Sequence, residues 1–204
     1  MSLELGVGFL QASISATDSA TDAPLAFDTT ALRQLHSITA APGRVTAELP
    51  VTLAVANRYG TLHGGCIATL VDTVGTAALV TVSPKGGVSL SINVNYLSKA
   101  PLGGSVLVEA QLVKSGRTIA TIDVQIKDKS TGALAAQGTH VKFIAQDEPD
   151  LTQFMEKMPA GAAAAPAAGQ EGERAGEHGR QATAAAAAVA QRQQARAAGP
   201  RSRL

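Results

Sequence analysis

The feature that most constrains the fold of this chain is a segment with the hydrophobic period of a helix, followed by a segment with the hydrophobic period of a strand. Between Gly64 and Val82 the apolar residues recur at spacings of three and four, which predicts a helix. Asp72 is the only charged residue in that segment, so we expect the helix to be buried on most sides. From Val88 to Tyr96 apolar and polar residues alternate, which predicts a strand.

Further strands are predicted on both sides of this helix, and short Gly-containing connections indicate hairpins between the last three. The predicted strands cover residues 44–55, 88–96, 105–115, 118–127 and 133–144. Helical spacing after a cap at Asp28 predicts a shorter helix over residues 25–36. We therefore expect an α+β architecture, in which a four-stranded antiparallel meander and one earlier strand lie around the long helix.

A change of composition divides the chain. Residues 159–204 contain 18 Ala among 46 residues and no aromatic residue. Such a segment has too little apolar surface to offset the entropy of ordering it. We expect one domain over residues 28–146, between a flexible segment at 1–27 and a disordered, Ala/Gly/Arg-rich tail at 147–204.

Several classes of function are excluded by composition. A net charge of +1 and 3% aromatic residues argue against a nucleic-acid partner. No apolar run reaches the roughly 20 residues of a membrane span. With Cys66 as the single cysteine, and no ligand spacing around His36, His140 and His178, we expect no metal and no cofactor, and we interpret these histidines as structural or solvent-exposed.

The segment NRYGTLHGGCIATLVD, residues 57–72, is the densest group of unusual residues. Gly64 and Gly65 stand where the helix begins, and bare amides at a helix N-terminus suit an oxygen that becomes negative during acyl transfer. Asp72 lies on an apolar helix, where a carboxylate is costly unless it is paired or functional. This combination predicts an acyl-transfer site.

The same segment resembles the small hotdog-fold acyl-CoA thioesterases, in the branch of the long-chain acyl-CoA and phenylacetyl-CoA thioesterases. The resemblance covers roughly residues 44–143, and the motifs GVS at 87–89, NYLS at 95–98 and AxGxH at 136–140 support it. It implies a curved antiparallel sheet wrapped around a central helix. It also implies a homodimer or tetramer and metal-free hydrolysis of an acyl-CoA substrate.

The residue roles implied by the resemblance carry over by position. Asp72 matches the catalytic carboxylate, acting as general base or nucleophile. Gly64 matches the residue whose N–H polarises the thioester carbonyl. Asn57 and His63 match residues that shape the site, and Ser89 matches a hydroxyl that positions water.

The distance between Gly64 and Asp72 bears on whether one subunit can hold the whole site. Asp72 lies eight residues after Gly64, which is about 12 Å along a helix. Attack needs reacting atoms within roughly 3–3.5 Å. We therefore predict that Asn57, His63 and Gly64 of one subunit act with Asp72 and Ser89 of another.

Structural roles remain open for the same side chains. Asp72 could form a buried ion pair, Asn57 could hold a turn, and His63 could only cap the helix. Ser89 could face solvent on the polar side of its strand, and Cys66 is interpreted as a small core residue.

Four residues are candidates for substrate binding. Gly65 stands beside the candidate oxyanion amide. Arg58, Lys99 and Arg117 flank loops near the inferred site, where they could bind coenzyme A phosphates. Solvated surface charges are the equally open interpretation of these three side chains.

The tripeptide Ser202-Arg203-Leu204 resembles a peroxisomal address of the Ser-Lys-Leu type. It predicts a peroxisomal import receptor as a partner and a peroxisomal location, with the cytoplasm or mitochondrion as alternatives.

The sequence thus predicts an acyl-CoA thioesterase. A hotdog-fold hydratase or dehydratase acting on acyl thioesters and a noncatalytic acyl-CoA binding module are the alternatives. A hydratase would need a second acid/base group, and a binding module would not need Asp72.

Overall fold

The computed structural model describes residues 2–14, 27–148 and 150–152. Three helices and six strands occur in this part of the chain. The helices are α1 (Ser2–Ile14), α2 (Phe27–Leu32) and α3 (Gly64–Val80). The strands are β1 (His36–Ala41), β2 (Arg44–Pro50), β3 (Val88–Tyr96), β4 (Ser105–Ser115), β5 (Ile119–Asp128) and β6 (Leu134–Phe143).

The six strands form one sheet in the order β1-β2-β4-β5-β6-β3, with antiparallel neighbours throughout. Three of the four strands in the expected meander, β4, β5 and β6, are consecutive neighbours. The expected place of β3 is wrong, because β3 pairs with β6 at the edge of the sheet and not with β4. A period of two fixes which face a side chain takes, but it does not fix which strand lies alongside.

Helix α3 packs on one face of this sheet and contacts β2, β3, β4, β5 and β6. Most of its side chains are buried, as its low charge predicts. Gly138 in β6 allows the close approach, since a Cβ atom there would lie 2.6 Å from Cγ2 of Val71 in α3. The predicted α+β hotdog fold, a curved antiparallel sheet around a central helix, is therefore confirmed.

The N-terminal region differs from its prediction as a flexible segment. Residues 2–14 form α1, whose Leu10 is fully buried. A Cβ atom at Gly6 would lie 2.5 Å from Cγ2 of Thr81, so α1 packs closely on the end of α3. The Thr29 hydroxyl donates to the Ser13 carbonyl at 2.7 Å, which ties α1 to α2. The helical period is obscured because Gly6 and Gly8 are poor helix formers and the apolar residues from Leu3 to Phe9 stand at a spacing of two.

The region before α3 also differs from its prediction. Helix α2 ends at Leu32, four residues before its predicted end, and the strand β1 that begins at His36 was not predicted. The segment HSITAA has a single large aliphatic residue, Ile38, so alternation is not recognisable there. Strand β2 ends at Pro50, five residues before its predicted end. No helix among the described residues is long and apolar enough to cross a membrane.

Replacing Leu10 by Ala should lower the free energy of unfolding by about 2–4 kcal/mol, because the change leaves a cavity between α1 and α3. Leu3→Ala on the same helix is the matched control, since Leu3 is exposed and its loss should cost less than about 0.5 kcal/mol. Urea unfolding measures both variants. Equal effects of the two substitutions would contradict the packing of α1.

Candidate active site

Asp72 lies in the middle of α3, on the helix face that lines a cavity of about 640 Å³. Its side chain is 46% exposed, so the expectation of a buried carboxylate is wrong. The carboxylate is exposed because this face of α3 lines the cavity, as Thr69, Thr73 and Thr76 on the same face also do. The carboxylate is therefore accessible to a substrate or to water.

Ser89 and His140 meet beside this carboxylate. The Ser89 hydroxyl lies 3.4 Å from Oδ1 of Asp72 and 2.8 Å from Nε2 of His140. The pairing of β3 with β6 shifts register between Ser89 and Ser91, and such a bulge changes the direction of a side chain. The structure thus brings Ser89 to Asp72, as the resemblance implies.

His140 was interpreted from the sequence as structural or solvent-exposed, and its role beside the carboxylate was missed. It is fully buried. Burial, together with the charge of Lys142, lowers the pKa of His140 to about 4, and Asp72 partly opposes this shift. The imidazole is therefore neutral near pH 7.

The Ser89 hydroxyl donates to Asp72 when Nε2 of His140 carries the imidazole proton, because a carboxylate can only accept. Nδ1 of His140 has no hydrogen-bond partner in the described part of the chain. A Cβ atom at Gly75 would lie 3.4 Å from Nδ1, so this glycine of α3 makes room for the ring.

This arrangement differs from a Ser-His-Asp triad. In a triad the carboxylate holds Nδ1 and the serine faces Nε2. Here Ser89 and Asp72 both lie nearest Nε2, with Oδ1 of Asp72 at 3.6 Å. An imidazole with a pKa of about 4 is also a weak base at neutral pH. The geometry assigns the reactive role to Asp72 and a positioning role to His140.

Lys142 is a second buried group near Asp72 that sequence reasoning missed. Its Nζ donates to the Thr76 hydroxyl at 2.9 Å, and that hydroxyl donates to the Asp72 carbonyl at 2.8 Å. Burial lowers the pKa of Lys142, while the charges of Asp72 and Glu148 raise it. The sequence did contain an indication of this burial. Side chains alternate between the two faces of a strand, so His140 and Lys142 lie on the same buried face of β6 as Ala136 and Gly138.

The N-terminus of α3 is held by its own cap. His63 is the N-cap, and its Nδ1 accepts a hydrogen bond from the Gly65 amide at 2.9 Å. No described residue accepts a hydrogen bond from the Gly64 amide. An unpaired N–H at the positive end of a helix can bind a developing oxyanion.

Asn57 holds the turn that leads to this N-terminus. Its Oδ1 accepts from the amides of Tyr59 and Thr61 at 2.9 and 3.2 Å, and its Nδ2 donates to the Thr61 hydroxyl. Within one chain, Asn57 therefore has the turn role that the sequence left open.

The three candidate phosphate-binding side chains are all exposed, and the structure does not bring them together. Arg58 lies in the turn after Asn57, and Lys99 precedes Ala100, whose carbonyl accepts from the Leu62 amide near the start of α3. Arg117 lies in the β4–β5 turn, at the opposite end of the sheet. None of the three lines the 640 Å³ cavity, whereas Gly65 does.

The candidate residues thus form two groups. Ser89 of β3 and His140 of β6 lie beside Asp72, at the middle of α3. His63 and Gly64 lie at the beginning of α3, about 12 Å away along the helix axis. No group of three or more His, Cys, Asp or Glu side chains in the described ranges could hold a metal ion. Within one chain the two groups of candidate residues therefore do not meet.

The buried His140 should make stability depend on pH. Its folded-state pKa of about 4 lies below the ordinary 6.5, so the unfolded chain binds this proton first. The stabilisation is full above pH 6.5 and is lost as pH falls from 6.5 toward 4. His140→Gln should flatten the decline in the free energy of unfolding by up to about 1.4 kcal/mol per pH unit. Exposed His36→Gln is the control, and equal pH dependence of wild type and His140→Gln would refute the prediction.

Comparisons with known proteins place this geometry in a family. A model described as the thioesterase superfamily matches residues 59–135. Human acyl-coenzyme A thioesterase 13 is 42% identical over 114 residues, which are 55% of this chain and 81% of that protein.

Solved structures show the same similarity. Zebrafish thioesterase superfamily member 2 superposes with a TM-score of 0.61 and 36% identity, over 68% of this chain and 96% of that chain. A Streptococcus pneumoniae thioesterase structure with coenzyme A gives a TM-score of 0.52 and 26% identity, over 55% of this chain and 88% of that chain. Fold and sequence agree with the predicted resemblance, and the chain belongs to the thioesterase superfamily.

Proposed function

We propose that this protein hydrolyses acyl-CoA thioesters to a free acid and coenzyme A, at a site shared between two subunits. The observation that carries the proposal is that the Asp72 carboxylate faces an open cavity. Ser89 contacts this carboxylate, and a neutral His140 contacts the Ser89 hydroxyl. A human relative named acyl-coenzyme A thioesterase 13 supports the reaction. A streptococcal thioesterase structure with coenzyme A supports the substrate class.

The reaction needs one activated oxygen nucleophile and one oxyanion site. Asp72 either takes a proton from water as that water attacks the carbonyl, or attacks the carbonyl itself to form a mixed anhydride, which water then hydrolyses to the free acid and the regenerated carboxylate. The Gly64 amide stabilises the tetrahedral oxyanion. A thiolate is a good leaving group, so collapse of the intermediate expels coenzyme A without a strong general acid.

The groups around Asp72 hold the carboxylate rather than exchange protons with the substrate. The neutral His140 donates to Ser89, which directs the Ser89 proton toward Asp72. Lys142 lines the same cavity, and its Nζ donates to the Thr76 hydroxyl, which donates in turn to the Asp72 carbonyl. Together they leave the second carboxylate oxygen to water or substrate.

The separation along α3 supports a site that is completed by a second subunit. Because Gly64 and Asp72 are about 12 Å apart on one helix, a single thioester carbon cannot contact both within one chain. Strand β3 supplies a surface for the partner, since it is an edge strand on which Val88, Leu90 and Ile92 are exposed. Exposed apolar edge strands are typically covered by another chain.

Phosphate binding, the tetramer and the location of the protein are further parts of the proposal, and they rest on the resemblance and on individual residues. Arg58 and Lys99 are proposed to bind coenzyme A phosphates near the helix start, and two dimers are proposed to pair as a tetramer. Turnover of fatty acyl groups in peroxisomes is the proposed setting. Residues 202–204, which would direct import, lie outside the described residues, so a reporter fused to the last ten residues tests this location.

Asp72→Asn should keep the fold and lower kcat by about 10²- to 10⁴-fold, because the amide can neither take a proton nor attack. A thiol-release assay with a panel of acyl-CoAs measures the loss, and circular dichroism checks the fold. Full turnover by the folded variant would overturn the proposed reaction, as would binding of acyl-CoA by wild type without any release of coenzyme A.

Gly64→Pro tests the oxyanion amide, because proline removes the N–H at a position where no helix bond is lost. Gly64 is the first helical residue, a site that proline favours, and His63 has the extended φ of −68° and ψ of 134° suited to preceding it. We expect a kcat loss of about 10²- to 10³-fold. Gly64→Ala adds the same Cβ but keeps the N–H, so an equal loss in both variants would argue against the amide.

Mixing Asp72→Asn with Gly64→Pro protein tests the shared site directly. Each mixed dimer would contain one intact site and one doubly defective site. After co-refolding at equal amounts, activity should return to about a quarter of wild type, since about half of the dimers are mixed. Mixed dimers without activity would show that each chain completes its own site.

A further inference from the structure

We propose that Tyr96 is a positioning residue that fixes the oxyanion amide, an inference that rests on the proposed function. Tyr96 is the last residue of β3, in the NYLS motif, to which no role is assigned. Its hydroxyl donates to the Gly64 carbonyl at 3.1 Å. Its ring also lies against Gly64, because a Cβ atom at that glycine would be 3.3 Å from Cε1.

The bond from Tyr96 completes the restraint of one peptide group. The peptide between Gly64 and Gly65 has its carbonyl held by Tyr96 and its N–H held by Nδ1 of His63. These two partners come from different elements, the end of β3 and the residue before α3. The plane of this peptide is therefore fixed from both sides.

The restraint matters because of the residue that precedes this peptide group. Glycine has the widest conformational freedom of any residue, so Gly64 could otherwise rotate at the frayed end of the helix. The Gly64 N–H itself belongs to the preceding peptide, whose carbonyl on His63 accepts from the Ile67 amide at 3.0 Å. With the next peptide held by Tyr96 and His63, Gly64 lies between two fixed peptide planes, so its N–H, which has no partner within the described residues, keeps one direction. An oxyanion donor is effective only when it is oriented before the charge develops.

A purely structural role fits Tyr96 poorly. Its side chain is exposed, with a relative exposure of 58% for the residue, so it contributes little to the core. Its backbone already pairs with Ala136 in β6, and this pairing does not need the hydroxyl. The feature specific to tyrosine is the hydrogen bond to Gly64.

Tyr96→Phe tests the inference by removing only the hydroxyl. We expect kcat to fall about 3- to 10-fold with KM changed less than about twofold, as for loss of one hydrogen bond felt in the transition state. Thermal unfolding should be unchanged. The other tyrosine of the chain, Tyr59, is 73% exposed, and Tyr59→Phe is the matched control that should retain wild-type kinetics.

A double variant separates positioning from packing. If Tyr96 and His63 hold the same peptide, the kcat losses of Tyr96→Phe and His63→Ala should be non-additive. Unchanged kcat in Tyr96→Phe would overturn the inference, as would a rise in KM alone, which would indicate direct substrate contact. Asp72→Asn in the same assay tests the proposed function independently of Tyr96. Loss of activity in Asp72→Asn would support the proposed function whatever the result for Tyr96→Phe, and full activity would contradict it.

Discussion

The rise of a single α-helix is the constraint on which this account depends. Helix α3 begins with the Gly64 amide and presents the Asp72 carboxylate two turns later, so about 12 Å separates the electrophilic and nucleophilic halves of the site. The helix cannot bend to bring them together, because it is packed on five strands. We propose that a second copy of the chain resolves this, and the exposed edge strand β3 is where such a copy would join.

Each half of the proposed site is ordered by polar groups that do not react. Behind Asp72, the desolvated His140 stays neutral and fixes the Ser89 hydroxyl, while Lys142 supplies the compensating charge. At the start of α3, His63 caps the helix through the Gly65 amide. The cost of desolvating the His140 imidazole and the Lys142 ammonium is thus tied to the placement of the Asp72 carboxylate.

Much of the fold and the reactive residues could be predicted from sequence, since they depend on local pattern. The period of α3 and the alternation in β3 to β6 are local, and so is the unusual presence of Gly64 and Asp72 on an apolar helix. The pairing of β3 with β6 was not predictable, because strand neighbours depend on long-range packing. His140 was missed for the same reason, since only that pairing brings it to Ser89.

The most direct measurement is a crystal structure of the assembled protein with a ketone analogue of an acyl-CoA, in which a methylene replaces the thioester sulphur. The account predicts the ketone oxygen within about 3 Å of the Gly64 amide of one subunit and the ketone carbon beside the Asp72 carboxylate of the other. A ketone bound to both groups of the same chain, or to neither, would contradict it.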